Sequence, residues 1–186
     1  MKTMTKVPES LKFTYKDYLL LPKDKRYEII EGDLYMVPSP FTKHQMISIN
    51  LSHILWKFVR QKGSGEILNA PCNVVLSEYD IVQPDILFIS KERSNIITEK
   101  NIQGTPDLII EILSRSRKHI DKNLKHRLYA RSGVKEYWIV DPDKETIEVF
   151  ILGAEGYKSE GVYDKKDKLK SKLLKGLSVN VIEVFS

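Results

Sequence analysis

The chain has 186 residues, 41% hydrophobic and 30% charged, which suits one domain with an adequate core and excludes a disordered chain. Thirty Lys and Arg against 25 Asp and Glu give a net charge of +5, a mild basic excess compatible with a polyanionic partner. The single Cys72 excludes an internal disulfide and a Cys-cluster zinc site.

In chain order, Thr14 reads as the N-cap of a short helix, Tyr15 to Leu21, stopped by Pro22. Tyr27–Ile30 and Leu34–Val37 flank Glu31-Gly32-Asp33 as a hairpin, broken by Pro38-Ser39-Pro40. Ile47, Leu51, Ile54, Leu55 and Phe58 recur at helical spacing, and Gly63-Ser64-Gly65 ends that helix. Strands are expected at Glu66–Asn69, Asn73–Leu76 and Val82–Ser90, the last with Pro84 near its start. Residues 91–105 are polar and read as a surface loop. Leu108–Leu113 is almost continuously apolar, the mark of a central strand covered on both faces. Asp121–Ser132 reads as a helix stopped by Gly133, and Tyr137–Val140 as a core strand to which Thr146–Leu152 returns antiparallel. A Lys-rich tail, including Lys165 to Lys170, leads to a last expected strand, Val179–Phe185. Its lysines read first as a solvated face and second as contacts for phosphate. The order defines an α/β (α+β) single domain, 1–186, with a mixed sheet.

Two acids interrupt hydrocarbon. Glu111 lies within Leu108–Leu113, and Asp85 precedes Ile86-Leu87-Phe88-Ile89. An ionised carboxylate costs several kcal/mol to bury unless it is paired or bound to metal. Either acid alone reads as a strand end facing solvent; two on neighbouring strands read as a shared site. With few histidines and one cysteine, the expected metal is a hard ion such as Mg²⁺ (or Mn²⁺). A lysine would complete the set. Lys125 lies beside the apolar stripe of Leu124 and Leu128, in one i, i+4 row with Asp121 and Tyr129. Lys122 falls roughly 200° round from Leu124, toward solvent. The plainer reading of Lys125 is a stem covering apolar surface. Asp107 follows Pro106 and competes with Asp85, but is expected near solvent at a strand start.

These residues resemble a family. Arg26-Tyr27-Glu28-Ile29-Ile30-Glu31-Gly32-Asp33-Leu34-Tyr35, Pro38-Ser39-Pro40, His44-Gln45, Gln83-Pro84-Asp85-Ile86, Pro106 to Ser114, Asp121 with Lys125 and Tyr129, and Tyr129 to Pro142 look, in this order, like the Uma-type family of restriction endonucleases. That family belongs to the PD-(D/E)xK nuclease superfamily. The resemblance implies a restriction-endonuclease-like core, a mixed central sheet flanked by helices. It implies that Asp85 and Glu111 are metal ligands, with the Ile112 carbonyl as a third. Glu28 is implied as an acid facing the same site, and His44 as a phosphate or site-edge contact. The superfamily lysine normally lies two residues after the second acid; that position is Leu113 here, and the resemblance moves the lysine to Lys125.

The expected function is metal-dependent endonuclease cleavage of nucleic acid, DNA above all, by Asp85, Glu111, Lys125 and Glu28. The alternative is a catalytically silent nuclease-fold protein that binds nucleic acid or a protein. Duplex cleavage by single-site enzymes leads to an expected homodimer. Met1–Ser10 has no apolar signal-like core and no apolar run approaches the ~20 residues of a membrane span, so a cytoplasmic protein without a membrane partner is expected.

Overall fold

A computed structural model describes residues 11–114 and 120–186, with the backbone alone for residues 120–122. Helix α1 (Tyr15–Tyr18) is opened by a capping box. The Thr14 hydroxyl accepts from the Asp17 N–H, and the Asp17 carboxylate accepts from the Thr14 N–H. It stops three residues short of the expected end. Strands β1 (Arg26–Ile30) and β2 (Asp33–Val37) form the expected hairpin. Its turn residues Glu31 and Gly32 both have positive φ, 56° and 81°, the two-residue turn whose twist suits paired strands. Helix α2 (Thr42–Lys62) buries Ile47, Leu51, Leu55 and Val59 along one stripe and ends at a left-handed Gly63.

After β3 (Gly65–Asn69) and β4 (Val74–Ser77), the single strand expected over Val82–Ser90 is two, β5 (Asp80–Val82) and β6 (Ile86–Ser90). Pro84 has no N–H for a ladder, and the Gln83 N–H is taken by a Glu28 carboxylate oxygen at 2.9 Å. The chain therefore leaves one sheet at Gln83 and enters another at Ile86. The expected loop at 91–105 carries a 3-10 turn, Lys91–Ile96, and strand β7 (Ile102–Gln103), parallel to β4. Ile102 is the reason: its side chain is buried in the core.

Strand β8 (Leu108–Ile112) is buried at every position, as its apolar run implies. The expected helix Asp121–Ser132 is a π-helical turn, Ile120–Lys125, followed by α3 (His126–Ser132), which stops at left-handed Gly133. Strands β9 (Glu136–Asp141), β10 (Thr146–Gly153) and β11 (Gly156–Tyr163) form an antiparallel meander, followed by the β12 (Lys168–Lys170) and β13 (Ser178–Asn180) pair. The expected last strand is instead helix α4 (Val181–Phe185) for most of its length. Val181 and Val184 are both buried, three residues apart, so the apolar period there is helical.

Six strands form the central sheet in the order β11-β10-β9-β8-β6-β3, mixed because β8 and β9 are parallel. Five form a second sheet, β2-β1-β5-β4-β7. Alternation along the central strands sends Ile86, Phe88, Ile110, Ile112 and Trp138 to one face, under α2 and the C-terminal segment. It sends Leu87, Ile89, Ile109, Leu113 and Tyr137 to the other, against α3 and the second sheet.

Asp107 corrects an expectation. It is fully buried, not near solvent. Its carboxylate accepts from the Ser90 N–H at 2.9 Å and pairs with Lys135 at 2.7 Å and Arg93 at 3.2 Å, so its charge is compensated in place. Burial pushes its pKa up, but the hydrogen bonds from Lys135 and Ser90 prevail and hold it below the ordinary value.

Candidate active site

The antiparallel register of β6 and β8 pairs Ile86 with Ile110. One step further along the same register, Asp85 stands opposite Glu111. Glu111 shares the parity of Ile109 and belongs to the face covered by α3 and the second sheet, whereas Asp85 lies just outside β6. Both line the same cleft. Asp85 lies just before β6, and its carbonyl accepts the Ala70 N–H at 3.0 Å. Its Oδ2 accepts the Ile112 N–H at 2.8 Å and lies 3.2 Å from His44 Nε2 in the first turn of α2.

Glu111 meets α3 and the turn before it. Lys125 Nζ lies 2.9 Å from Glu111 Oε1, and the Tyr129 hydroxyl donates to the same oxygen at 2.6 Å. On its other side Lys125 Nζ is 2.8 Å from Glu28 Oε1, which comes from β1 of the second sheet. The side chains of Glu28, Glu111 and Lys125 are 1%, 4% and 3% exposed, whereas Asp85 is 19% exposed. The ammonium is therefore buried with two carboxylates, beneath a more open acid. Burial, reinforced by the charges of Glu111 and Glu28, holds the Tyr129 phenol well above its ordinary pKa, so it is a hydrogen-bond donor here.

The sequence-derived set is thus brought together: Glu28, His44, Asp85, Glu111, Ile112 and Lys125 all line one cleft of about 600 Å³. Asp121 and Lys122 have side chains outside the described residues. The face argument that separated Lys122 from Lys125 assumed α-helical phase, whereas this turn is π-helical and wider. Two further residues belong to the site. Tyr129 carries a signal in the sequence, its i, i+4 spacing from Lys125. Gln83 carries only its place in the Gln83-Pro84-Asp85-Ile86 motif, because its backbone bond to Glu28 spans 55 positions; its side chain also donates to Tyr18 and Asn73 at 3.1 and 2.8 Å.

The donor set suits a hard divalent cation. Both hydrogen bonds to the Asp85 carboxylate fall on Oδ2, leaving Oδ1 without one among the described residues. In a strand the N–H and C=O of one residue point to the same neighbour, so the Ile112 carbonyl shares the edge on which its N–H meets Asp85. No group of three or more His, Cys, Asp or Glu side chains converges among the described residues. Two carboxylates and a backbone oxygen, completed by water and phosphate, are the sparse oxygen shell that Mg²⁺-like ions accept.

A mixed sheet, flanked by helices and carrying two opposed acids with a lysine beneath, defines a restriction-endonuclease-like α+β fold. The sequence profile of the Uma2 family, described as "Putative restriction endonuclease", matches residues 15–182, and the chain belongs to that family. The crystal structure of a "putative nuclease belonging to DUF820" from Anabaena variabilis superposes with a TM-score of 0.76 at 22% identity. The match covers 93% of this chain and 97% of that one and shows the shared fold. Two Synechocystis sp. proteins, both uncharacterised, are similar in sequence. The protein slr1290 is 25% identical over 178 residues, 94% of this chain and 92% of its own length. The protein sll1609 is 25% identical over 119 residues, 63% of this chain and 67% of its own. No helix among the described residues is long and apolar enough to cross a membrane.

Proposed function

We propose that this chain is a metal-dependent endonuclease that hydrolyses phosphodiester bonds of nucleic acid, DNA above all, with Mg²⁺ or Mn²⁺ held by Asp85, Glu111 and the Ile112 carbonyl. That ion, when bound, supplies Lewis-acid polarisation of the phosphate and a water of lowered pKa. Lys125 places a fixed positive charge where negative charge builds on the scissile phosphate, or orients the attacking water. Glu28 is its positioning residue, holding the ammonium from the side opposite Glu111. His44 braces Asp85 and offers an edge contact for phosphate.

The observation that carries this reading is the buried Glu28–Lys125–Glu111 chain, opening beside Asp85 onto a cleft. Burying two carboxylates and an ammonium is costly, and hydrophobic residues would serve stability as well. Such groups concentrate where their charge has a chemical use.

The test pairs metal affinity with turnover on labelled single- and double-stranded DNA and RNA, with folding of each variant checked by circular dichroism. Asp85→Ala and Glu111→Ala should abolish both metal binding and cleavage. Lys125→Ala should keep metal binding and lower cleavage by ~10²–10³, the usual loss for one electrostatic stabiliser. Binding without cleavage in every metal would instead support the silent nuclease-fold reading.

A further inference from the structure

Phe41 is the least explained side chain beside the cleft. It immediately precedes α2, is 71% exposed and lines the same cleft as the acids. It adds nothing to either core cluster. Two cations line that cleft with it. Arg26 at the start of β1 donates to the Pro38 carbonyl at 3.2 Å, and Lys43 in the first turn of α2 donates to the Pro142 carbonyl at 2.6 Å. Lys43 also pairs with Glu145 at 3.3 Å, yet its side chain remains 53% exposed. The acids lie deep, with Glu28 and Glu111 almost wholly covered, while Pro38, Pro40 and Pro142 stand in the cleft wall.

We propose that this cleft takes an unpaired strand of nucleic acid, with a base stacked on Phe41 and the flanking phosphates met by Arg26 and Lys43. The proposal rests on the nuclease reading of the same site and names its substrate class. A flexible strand can lay an unpaired base on an exposed ring beside the acids, whereas the bases of a duplex are stacked and paired within it. An exposed aromatic ring sharing a cleft with two cations is what an unpaired base and its phosphates recognise: stacking needs no sequence, and the cations follow the backbone. A single strand needs only one site, so the two-fold dimer expected for duplex cleavage is no requirement of this chemistry.

The experiment measures binding of the full chain, with Ca²⁺ or chelator present, to a fluorescein-labelled 20-nucleotide mixed-sequence single strand and to its blunt duplex. Fluorescence anisotropy is read across a salt series. The single strand should bind at least about 10-fold more tightly. Phe41→Ala should weaken it by about 5- to 150-fold, the range of one base–aromatic stack, without changing the salt slope. Phe41→Trp should restore affinity, and its emission should be quenched on binding. Arg26→Ala and Lys43→Ala should each lower the single-strand salt slope by about 0.7. Equal or tighter duplex binding, no single-strand binding, or a Phe41→Ala protein that binds like wild type would overturn the proposal. If these binding results hold while no metal supports cleavage, the strand site stands and the nuclease reading falls. If cleavage proceeds while Phe41→Ala changes neither binding nor rate, the nuclease reading stands and the strand site falls.

Discussion

Lys125 and Tyr129 donate to the same oxygen of Glu111, at 2.9 and 2.6 Å. The carboxylate accepts from an ammonium and a phenol that both approach from the α3 side. Tyr129→Phe keeps the ring and removes only the hydroxyl. It should lower unfolding free energy by about 1.5–3 kcal/mol, the scale of a hydrogen bond to a charged group. Lys125→Met leaves Glu28 and Glu111 buried without their shared cation and should cost about 3–5 kcal/mol at neutral pH. Urea unfolding of both variants checks the order.

Metal binding should be visible without any substrate. An ion that binds only the folded chain stabilises it, by about 2.7 kcal/mol at a hundredfold excess over its dissociation constant. Thermal unfolding should therefore shift upward with Mn²⁺ and return with chelator. Asp85→Asn should unfold at the same temperature with and without the ion.

Asp107 makes a pH prediction. Its folded pKa lies below the ordinary value of 3.8, so it stabilises the fold fully above that value and loses this contribution as pH falls through the folded pKa. Asp107→Asn should be less stable than wild type at pH 7. The difference should shrink below about pH 4, the unfolded-state carboxylate range, in denaturant titrations run from pH 7 to pH 2.

Two glycines near the start of β3 should respond differently to alanine. A Cβ on Gly65, whose φ is 154°, would lie 2.1 Å from the Ile89 carbonyl oxygen, across the β3–β6 pairing. A Cβ on Gly63 would meet nothing within 4 Å and incurs only the left-handed backbone cost of about 1–2 kcal/mol. Gly65→Ala should lower the melting temperature more than Gly63→Ala, as differential scanning calorimetry would show.

Much of the central sheet was legible because its residues carry strong local patterns: the apolar runs of β6, β8 and β9 and the helical stripe of α2. Acids interrupting hydrocarbon marked Asp85 and Glu111, and helix spacing marked Lys125 beside the sheet. What local pattern hides is partnership at a distance. Gln83 and Glu28 meet across 55 residues, and that bond, together with Pro84, divides the apolar stretch from Val82 onward between two sheets. Asp107 was misplaced for the same reason, since Ser90, Arg93 and Lys135 compensate its charge from elsewhere in the chain. Leu124 and Leu128 keep an ordinary helical spacing in the sequence, so pattern alone reads the π-helical turn before α3 as part of one α-helix.

The Gln83-Pro84 crossing has a consequence for how the molecule comes apart. Glu28 belongs to the second sheet and Glu111 to the central one, and Lys125 holds both, so the charged cluster works as a rivet between two layers. Loosening of the β1–β2 hairpin alone would separate Glu28 from Lys125 while β6, β8 and β9 stayed paired. Hydrogen exchange under mild denaturant should then find the cleft disassembled while the central sheet is still protected, so that competence is lost to local opening before the protein unfolds.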